Sequence, residues 1–215
     1  RKIGGFRVIP VEQEIKDDKQ IQPFEQVSAI IEANTKFAVA DCICRKESEI
    51  MGYKCNKPLE ACMMFGLAAD YYIENGNGRE ITKAEAHEIL LKAEEGGLVH
   101  CSSNHKGDKA FICNCCGCHC KALAFITKHD MPAVIAHSNY YAAADMETCE
   151  GCETCIDRCQ VDAIEMLEDV AHISTDRGIG CGLCVSTCPG DAITMVHKEA
   201  EALSHIYADG NELLQ

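Results

Sequence analysis

No run of 18 apolar residues occurs anywhere in the 215-residue chain, so no segment reads as a membrane-spanning helix. Basic residues are scarce: 20 Lys and Arg stand against 34 Asp and Glu, a net charge of −14. A phosphate-backbone partner needs a basic patch that displaces counterions, so nucleic acid is not an expected partner of this stretch. An acidic surface suits docking on a basic protein surface instead. The sequence also lacks a phosphate-binding Gly-rich loop, a G-x-G-x-x-G motif and an evident nucleophile–base pair. Nucleotide-dependent and nucleophilic catalysis therefore find little to work with. No signal peptide opens the chain, and Arg1 rather than methionine stands first.

What the chain has in excess is cysteine, 17 residues in all, ten before residue 145 and seven after it. That abundance fits either a disulfide scaffold or metal binding. Oxidised scaffolds are small domains without a large core, whereas this chain carries long apolar helical patterns. Its cysteines cluster as CxxC and CxC, a spacing poor for pairing neighbours and good for metal thiolates. Thiolate ligands require a reducing compartment, which points to the cytoplasm.

Periodicity and punctuation predict an α+β fold. Residues 1–22 read as an extended lead-in. The stretch 23–35 reads as a helix with Phe24, Val27, Ile30 and Ile31 on its apolar face. "KFAVADCIC" (36–44) reads as a buried strand ending in thiols. "LEACMMFGLAADYYIENG" (59–76) reads as a second helix closed by Gly76, with Met63 and Met64 in its core face. Residues 82–97 form the clearest helix, opened by a Thr82–Glu85 capping box and stopped by Gly96 and Gly97. Apolar runs at 97–101 and 110–115 flank a polar loop and predict a hairpin. A third helix follows at 121–130, then an extended segment at 132–145. A helix followed by a hairpin also resembles a winged helix, a reading the acidic charge opposes. The division expected is lead-in 1–22, a helical and hairpin Cys-rich metal-binding domain 23–144, a cluster module 145–198 and a tail 199–215.

In the module, Cys149, Cys152, Cys155 and Cys159 follow C-x2-C-x2-C-x3-C. Twenty-nine residues later stand Gly178, Cys181, Cys184 and Cys188, with Pro189 after the last. "CQVDAIEM" (159–166) also aligns with "CPGDAITM" (188–195), an internal repeat of a β-loop-α-β unit. Residues 145–198 thus resemble the bacterial two-cluster ferredoxin. In such folds three thiols of one loop serve one cluster and the fourth serves the other. The resemblance implies a first [4Fe-4S] cluster on Cys149, Cys152, Cys155 and Cys188. A second would sit on Cys159, Cys181 and Cys184, with no donor from Gly178. That second centre is a [3Fe-4S] cluster, a four-iron cluster whose unique iron takes Asp176, His172, water or another thiol, an absent cluster, or one completed by a partner. Gly151 and Gly182 read either as turn glycines or as places where loop amides approach sulfide. Zinc fits this loop pattern poorly.

Ahead of the module stand Cys42, Cys44, Cys55 and Cys62, then Cys113, Cys115, Cys116, Cys118 and Cys120 in "CNCCGCHC", all candidate metal ligands. These nine thiols suffice for two four-iron clusters, or for one cluster plus a zinc. His119 reads as a loop histidine, with ligation as the alternative. Cys101 reads as a buried or bystander thiol rather than a ligand. Arg45 either offsets thiolate charge or pairs with an acid, and the Tyr71–Tyr72 and Tyr140–Tyr141 pairs read as packing. "CCGC" is also found around non-cubane clusters that cleave disulfides, a weak match in one copy.

Taken together, "RVIPVE", "CICRKE", "KPLEACMMFG", "AEEGGLVH", "ICNCCGC" and "SNYYA" resemble a family of multi-cluster 4Fe-4S ferredoxin-type proteins of anaerobes. The resemblance spans nearly the whole chain and implies iron–sulfur ligation at the N-terminal cysteines too. It also implies a winged-helix-like region ahead of Arg1, and cysteines where His119 and Gly178 stand here. The function implied is one-electron relay between several clusters and a partner, either a redox protein or a larger oxidoreductase complex. The alternatives are an enzyme using an open iron position and a redox-sensing regulator.

Overall fold

Strands β1 (Phe6–Ile9), β2 (Phe37–Asp41), β3 (Glu60–Phe65), β4 (Arg79–Glu80), β5 (Val99–Ser103) and β6 (Phe111–Cys115) join in one antiparallel sheet of order β1-β5-β6-β3-β2-β4. The structure is a computed structural model describing residues 4–16 and 21–214. Helices α1 (Val27–Glu32), α2 (Ile43–Ile50), α3 (Leu67–Glu74), α4 (Lys83–Glu95) and α5 (Ala124–Thr127) are threaded between and after these strands. The fold is α+β. The hairpin of β5 and β6 lies inside the sheet and is not a free wing.

Strand alternation separates two chemistries across this sheet. Val39 of β2, Met63 and Phe65 of β3 and Ile112 of β6 meet Ile30, Ile31, Ile89 and Leu90 of α1 and α4 in one apolar core. The intervening residues Cys62, Cys113 and Cys115 take the opposite face, and Cys101 of β5 stands directly across from Cys113. The C-x-C spacing at 113–115 is therefore a strand period that sends both thiols to one side.

Several elements differ from the sequence reading. Residues 59–76 are strand β3 followed by helix α3, broken at Gly66, whose φ is 53°. The apolar run "ACMMF" is buried as a strand between β2 and β6, and such a run carries no clean period that distinguishes strand from helix. Met63 is fully buried there, on a strand rather than on a helix. β2 stops at Asp41, and Cys42 is the N-cap of α2, so Cys44 lies on a helix. At 23–35 a 3-10 turn precedes a six-residue helix. At 121–130 only Ala124–Thr127 is helical. By contrast α4 starts where its capping box places it, with Glu85 N–H donating to Thr82 Oγ1 at 3.2 Å and Thr82 N–H to Glu85 Oε2 at 2.8 Å.

Strands β7 (Tyr140–Ala144), β8 (Ile164–Leu167), β9 (Val170–Ile173) and β10 (Ile193–His197) and helix α6 (Thr154–Arg158) make up the second part. β7 pairs with β10 and β8 with β9, both antiparallel. The first repeat keeps the expected β-loop-α-β order, whereas no helix stands between β9 and β10 in the second, and the strands pair between repeats and not within one. A turn at Glu168 and Asp169, both with positive φ, links β8 to β9 too tightly for a parallel crossover. The 29-residue repeat is visible in the backbone: Gly151 and Gly180 have φ of 67° and 68°, and Asp162 and Asp191 have 52° and 49°.

The described parts of the lead-in and of the tail are built into the fold, while 1–3, 17–20 and 215 lie outside the described residues. β1 forms an edge of the sheet, and Val11 N–H donates to Cys181 O at 2.9 Å. Arg7, 1% exposed, bonds Glu25 at 3.0 Å and Asn139 at 2.7 Å, tying the sheet to the start of β7. In the tail, helix α7 (Gly210–Leu213) follows Tyr207, which is buried beside the β5–β6 loop.

His137 supplies a pH test of this junction. Its Nε2 bonds Pro132 O at 3.0 Å, and burial, with Lys198 and Arg7 adding repulsion, holds its pKa below the ordinary histidine value. It is neutral when folded, whereas the unfolded chain takes up a proton near pH 6.5. This contribution to stability is present above that pH and is lost as the pH falls. His137→Gln keeps a donor and is expected to narrow the loss of unfolding midpoint between pH 7 and 5.5 relative to the parent, as read by thermal melts at both values. An unchanged difference would sink the assignment.

Candidate metal centres

Cys149, Cys152, Cys155 and Cys188 line one cavity, roofed by Met166, Ala171 and Ile193. Cys149, Cys152 and Cys155 come from the loop before and into α6, while Cys188 comes from the second repeat. A second cavity is lined by Cys159, Cys181 and Cys184 together with Ser174, Thr175 and Gly178. Each cavity thus draws one thiol from the other repeat, the exchange that the ferredoxin resemblance implies.

Backbone amides reinforce this pattern. Ala163 N–H donates to Cys159 Sγ at 3.3 Å, and Ala192 N–H, at the same place in the second repeat, donates to Cys188 Sγ at 3.3 Å. Ala171 N–H reaches Cys149 Sγ at 3.5 Å. Such bonds stabilise charge on sulfur. Burial pushes the Cys181 thiol up to about 11 and raises Cys184 as well, so these groups ionise only when a cation compensates them. Cys152 is exposed at the rim, and hydrogen bonds from Thr154 lower its pKa. All 17 cysteines are free thiols. Soft donors converging on two cavities with largely apolar walls fit iron–sulfur clusters.

Gly178 stands where the first repeat has Cys149. A Cβ there would lie 2.7 Å from Ser174 O, the carbonyl that accepts the Gly178 N–H at 2.8 Å. A side chain at 178 therefore requires this loop to shift, although Cys149 of the first repeat makes the matching N–H bond, to Asp145 O at 3.1 Å. Of the substitutes expected from sequence, His172 pairs with Glu165 at 3.5 Å, and neither His172 nor Asp176 lines the cavity. The hydroxyl-bearing neighbours Ser174 and Thr175 do line it, and the sequence reading passed over them.

The N-terminal thiols form a connected line on the cysteine face of the sheet. Cys62 neighbours Cys113 and Cys42, Cys115 neighbours Cys113, Cys101 and Cys120, and Cys120 neighbours Cys44. Cys101 is fully buried, as one of its two readings expects, and lies beside this array. Cys115, Cys120 and Cys101 share a core with Val161, Ile179 and Leu183, against which Cys159 and Cys181 pack. Arg45 is 3% exposed; its Nη1 donates to Asn114 O at 3.1 Å, and its Nε and Nη2 have no hydrogen-bond partner. Burial disfavours its charge, but the neighbours Cys42, Cys116 and Cys62 outweigh that and hold its pKa raised. Its partners are thiols, not an acid. Tyr71 is exposed rather than packed, and with Tyr72 it borders a groove leading to Cys62 and Cys113.

Cys55, Cys116 and Cys118 lie apart from that line. Cys55 Sγ is 4.0 Å from Cys116 Sγ and 3.7 Å from Cys118 Sγ. His119, read from sequence as a loop histidine, is half-buried and places Nδ1 3.0 Å from Cys118 Sγ. Nothing in the loop sequence marks that convergence, because Cys55 arrives from a coil more than 60 residues away.

Residues 142–195 are similar to a 4Fe-4S dicluster domain family, whose model matches them. That segment is about a quarter of the chain and contains both cavities. No curated protein matches the chain. The chain thus carries a ferredoxin-type iron–sulfur domain, and no helix among the described residues is long and apolar enough to cross a membrane.

Proposed function

We propose that the protein is an iron–sulfur electron-transfer protein, or the electron-transfer subunit of a larger oxidoreductase complex. The observation that carries this reading is the continuity of its thiol sites. Cys152 is exposed at the outer cavity, and the two cavities share a core in which Cys155 and Cys184 are both buried. Cys159 and Cys181 then pack against the core of Cys101, Cys115 and Cys120. Clusters bound in such sites supply one-electron transfer at potentials tuned by hydrogen bonds and burial.

The chain's own residues set the conditions. Cys149, Cys152, Cys155 and Cys188 hold the first [4Fe-4S] cluster, and Cys159, Cys181 and Cys184 hold the second with one position left open at Gly178. The amides of Ala163, Ala171 and Ala192 favour the more negative, reduced state and so raise the potential. In the N-terminal part, Cys42, Cys44, Cys62, Cys113, Cys115 and Cys120 are the thiols from which a further cluster would draw its four ligands, and Arg45 offsets thiolate charge there. Glu150 and Glu153, exposed beside Cys152, form an acidic rim for a basic redox partner. The cytoplasm supplies the reducing setting that thiolates require.

Iron and sulfide analysis of anaerobically purified protein tests the reading. About seven or more iron atoms per chain, with reversible low-temperature EPR signals, are expected. About four or fewer would contradict it.

A further inference from the structure

Among the described residues, Cys55, Cys116, Cys118 and His119 are the one group of three or more potential ligands whose donor atoms all lie within 4.8 Å of one another. That closeness separates them from the module's thiols, which stand apart around their cavities. Ligands of a cube attach to irons at alternate corners and radiate outward, so their sulfurs lie well apart. Ligands of a single ion converge. For a tetrahedral ion with metal–sulfur bonds of about 2.3 Å, the sulfur–sulfur edge is about 3.8 Å. The observed separations are 4.0 and 3.7 Å.

We infer that Cys55, Cys116, Cys118 and His119 bind one zinc ion in a closed tetrahedral Cys3His site. Three thiolates and a neutral imidazole suit zinc, and four protein donors leave no open position, as in structural sites. The three thiolates and a divalent cation leave one net negative charge, which Arg45 beside Cys116 offsets.

The placement assigns the ion a task. Cys55 comes from the coil after α2, and it packs with Cys116 against Ala61, Ala93 and Leu98. The turn holding the other three ligands abuts the cluster module: Gly117 N–H donates to Gln160 Oε1 at 3.0 Å, and a Cβ on Gly117 would overlap Gln160 O. Gln160 follows Cys159. Zinc therefore pins the coil after α2 to the turn that abuts the module.

Zinc and iron are counted together by plasma mass spectrometry on the anaerobically purified full chain and on Cys55→Ser. The parent is expected to hold about one zinc per chain. Cys55→Ser should lose it while iron content and EPR signals persist. Should the variant not accumulate, cobalt(II) incorporated into the parent during growth gives a second readout, with ligand-field bands of a tetrahedral thiolate site expected. Absence of zinc and of those bands overturns the inference, as does a drop in iron in Cys55→Ser. Neither result alters the iron count of the parent, on which the electron-transfer reading rests.

Discussion

Cys188→Ala is expected to lower the iron content by about four atoms per chain and to remove one EPR signal, leaving the signal of the Cys159, Cys181 and Cys184 centre in place. The expectation follows from a crossing of the chain. Cys188 belongs to the second repeat by sequence, yet it lines the cavity of Cys149, Cys152 and Cys155. It receives the Ala192 N–H and packs with Cys155 and Ile193. Alanine leaves three thiol donors, and the other polar side chains lining that cavity are Glu150 and Glu153, hard carboxylates exposed at its rim that replace a thiolate poorly. Cys159→Ala is the mirror experiment, because Cys159 follows the first loop but lines the second cavity. If ligands were grouped by sequence proximity, the two variants would exchange phenotypes. That exchange would contradict the assignment.

The second large effect concerns Gly178→Cys. By motif alone this substitution repairs the site. By geometry it does not, because the new Cβ would meet Ser174 O at 2.7 Å and disturb the Gly178 N–H bond to that carbonyl. The variant is expected to lose about 1–3 kcal/mol of stability, the usual range for overpacking against backbone. Its second centre should keep a spectrum distinct from that of the first. A fully stable variant whose two centres become spectroscopically alike would show that the loop yields and that the open position is not imposed by the fold.

Some of this was legible in the sequence and some was not, for physical reasons. Helix α4 could be read because its cap, length and closing glycines agree with one another. The metal chemistry of the module was legible because three thiols on one tight loop, two of them repeated at a fixed offset with the cysteine that follows, have few other uses. β3 was misread because a buried strand and a buried helix look alike over a run of five apolar residues. The gap at Gly178 was visible, but its cause was not, since Ser174 O approaches through a turn the residue types do not specify. Cys101 looked isolated because its neighbours are across the sheet rather than along the chain. His119 looked like a loop residue because its companion Cys55 arrives from a distant coil.

The account's central claim is that the metal–thiolate sites form one continuous array from the exposed rim at Cys152 to Cys62 inside the sheet. EPR during a stepwise reductive titration tests it most directly. The account predicts simple signals at partial reduction that broaden or split at full reduction, as neighbouring paramagnetic centres come to interact. A fully reduced spectrum that is only the sum of independent, unbroadened signals would contradict it.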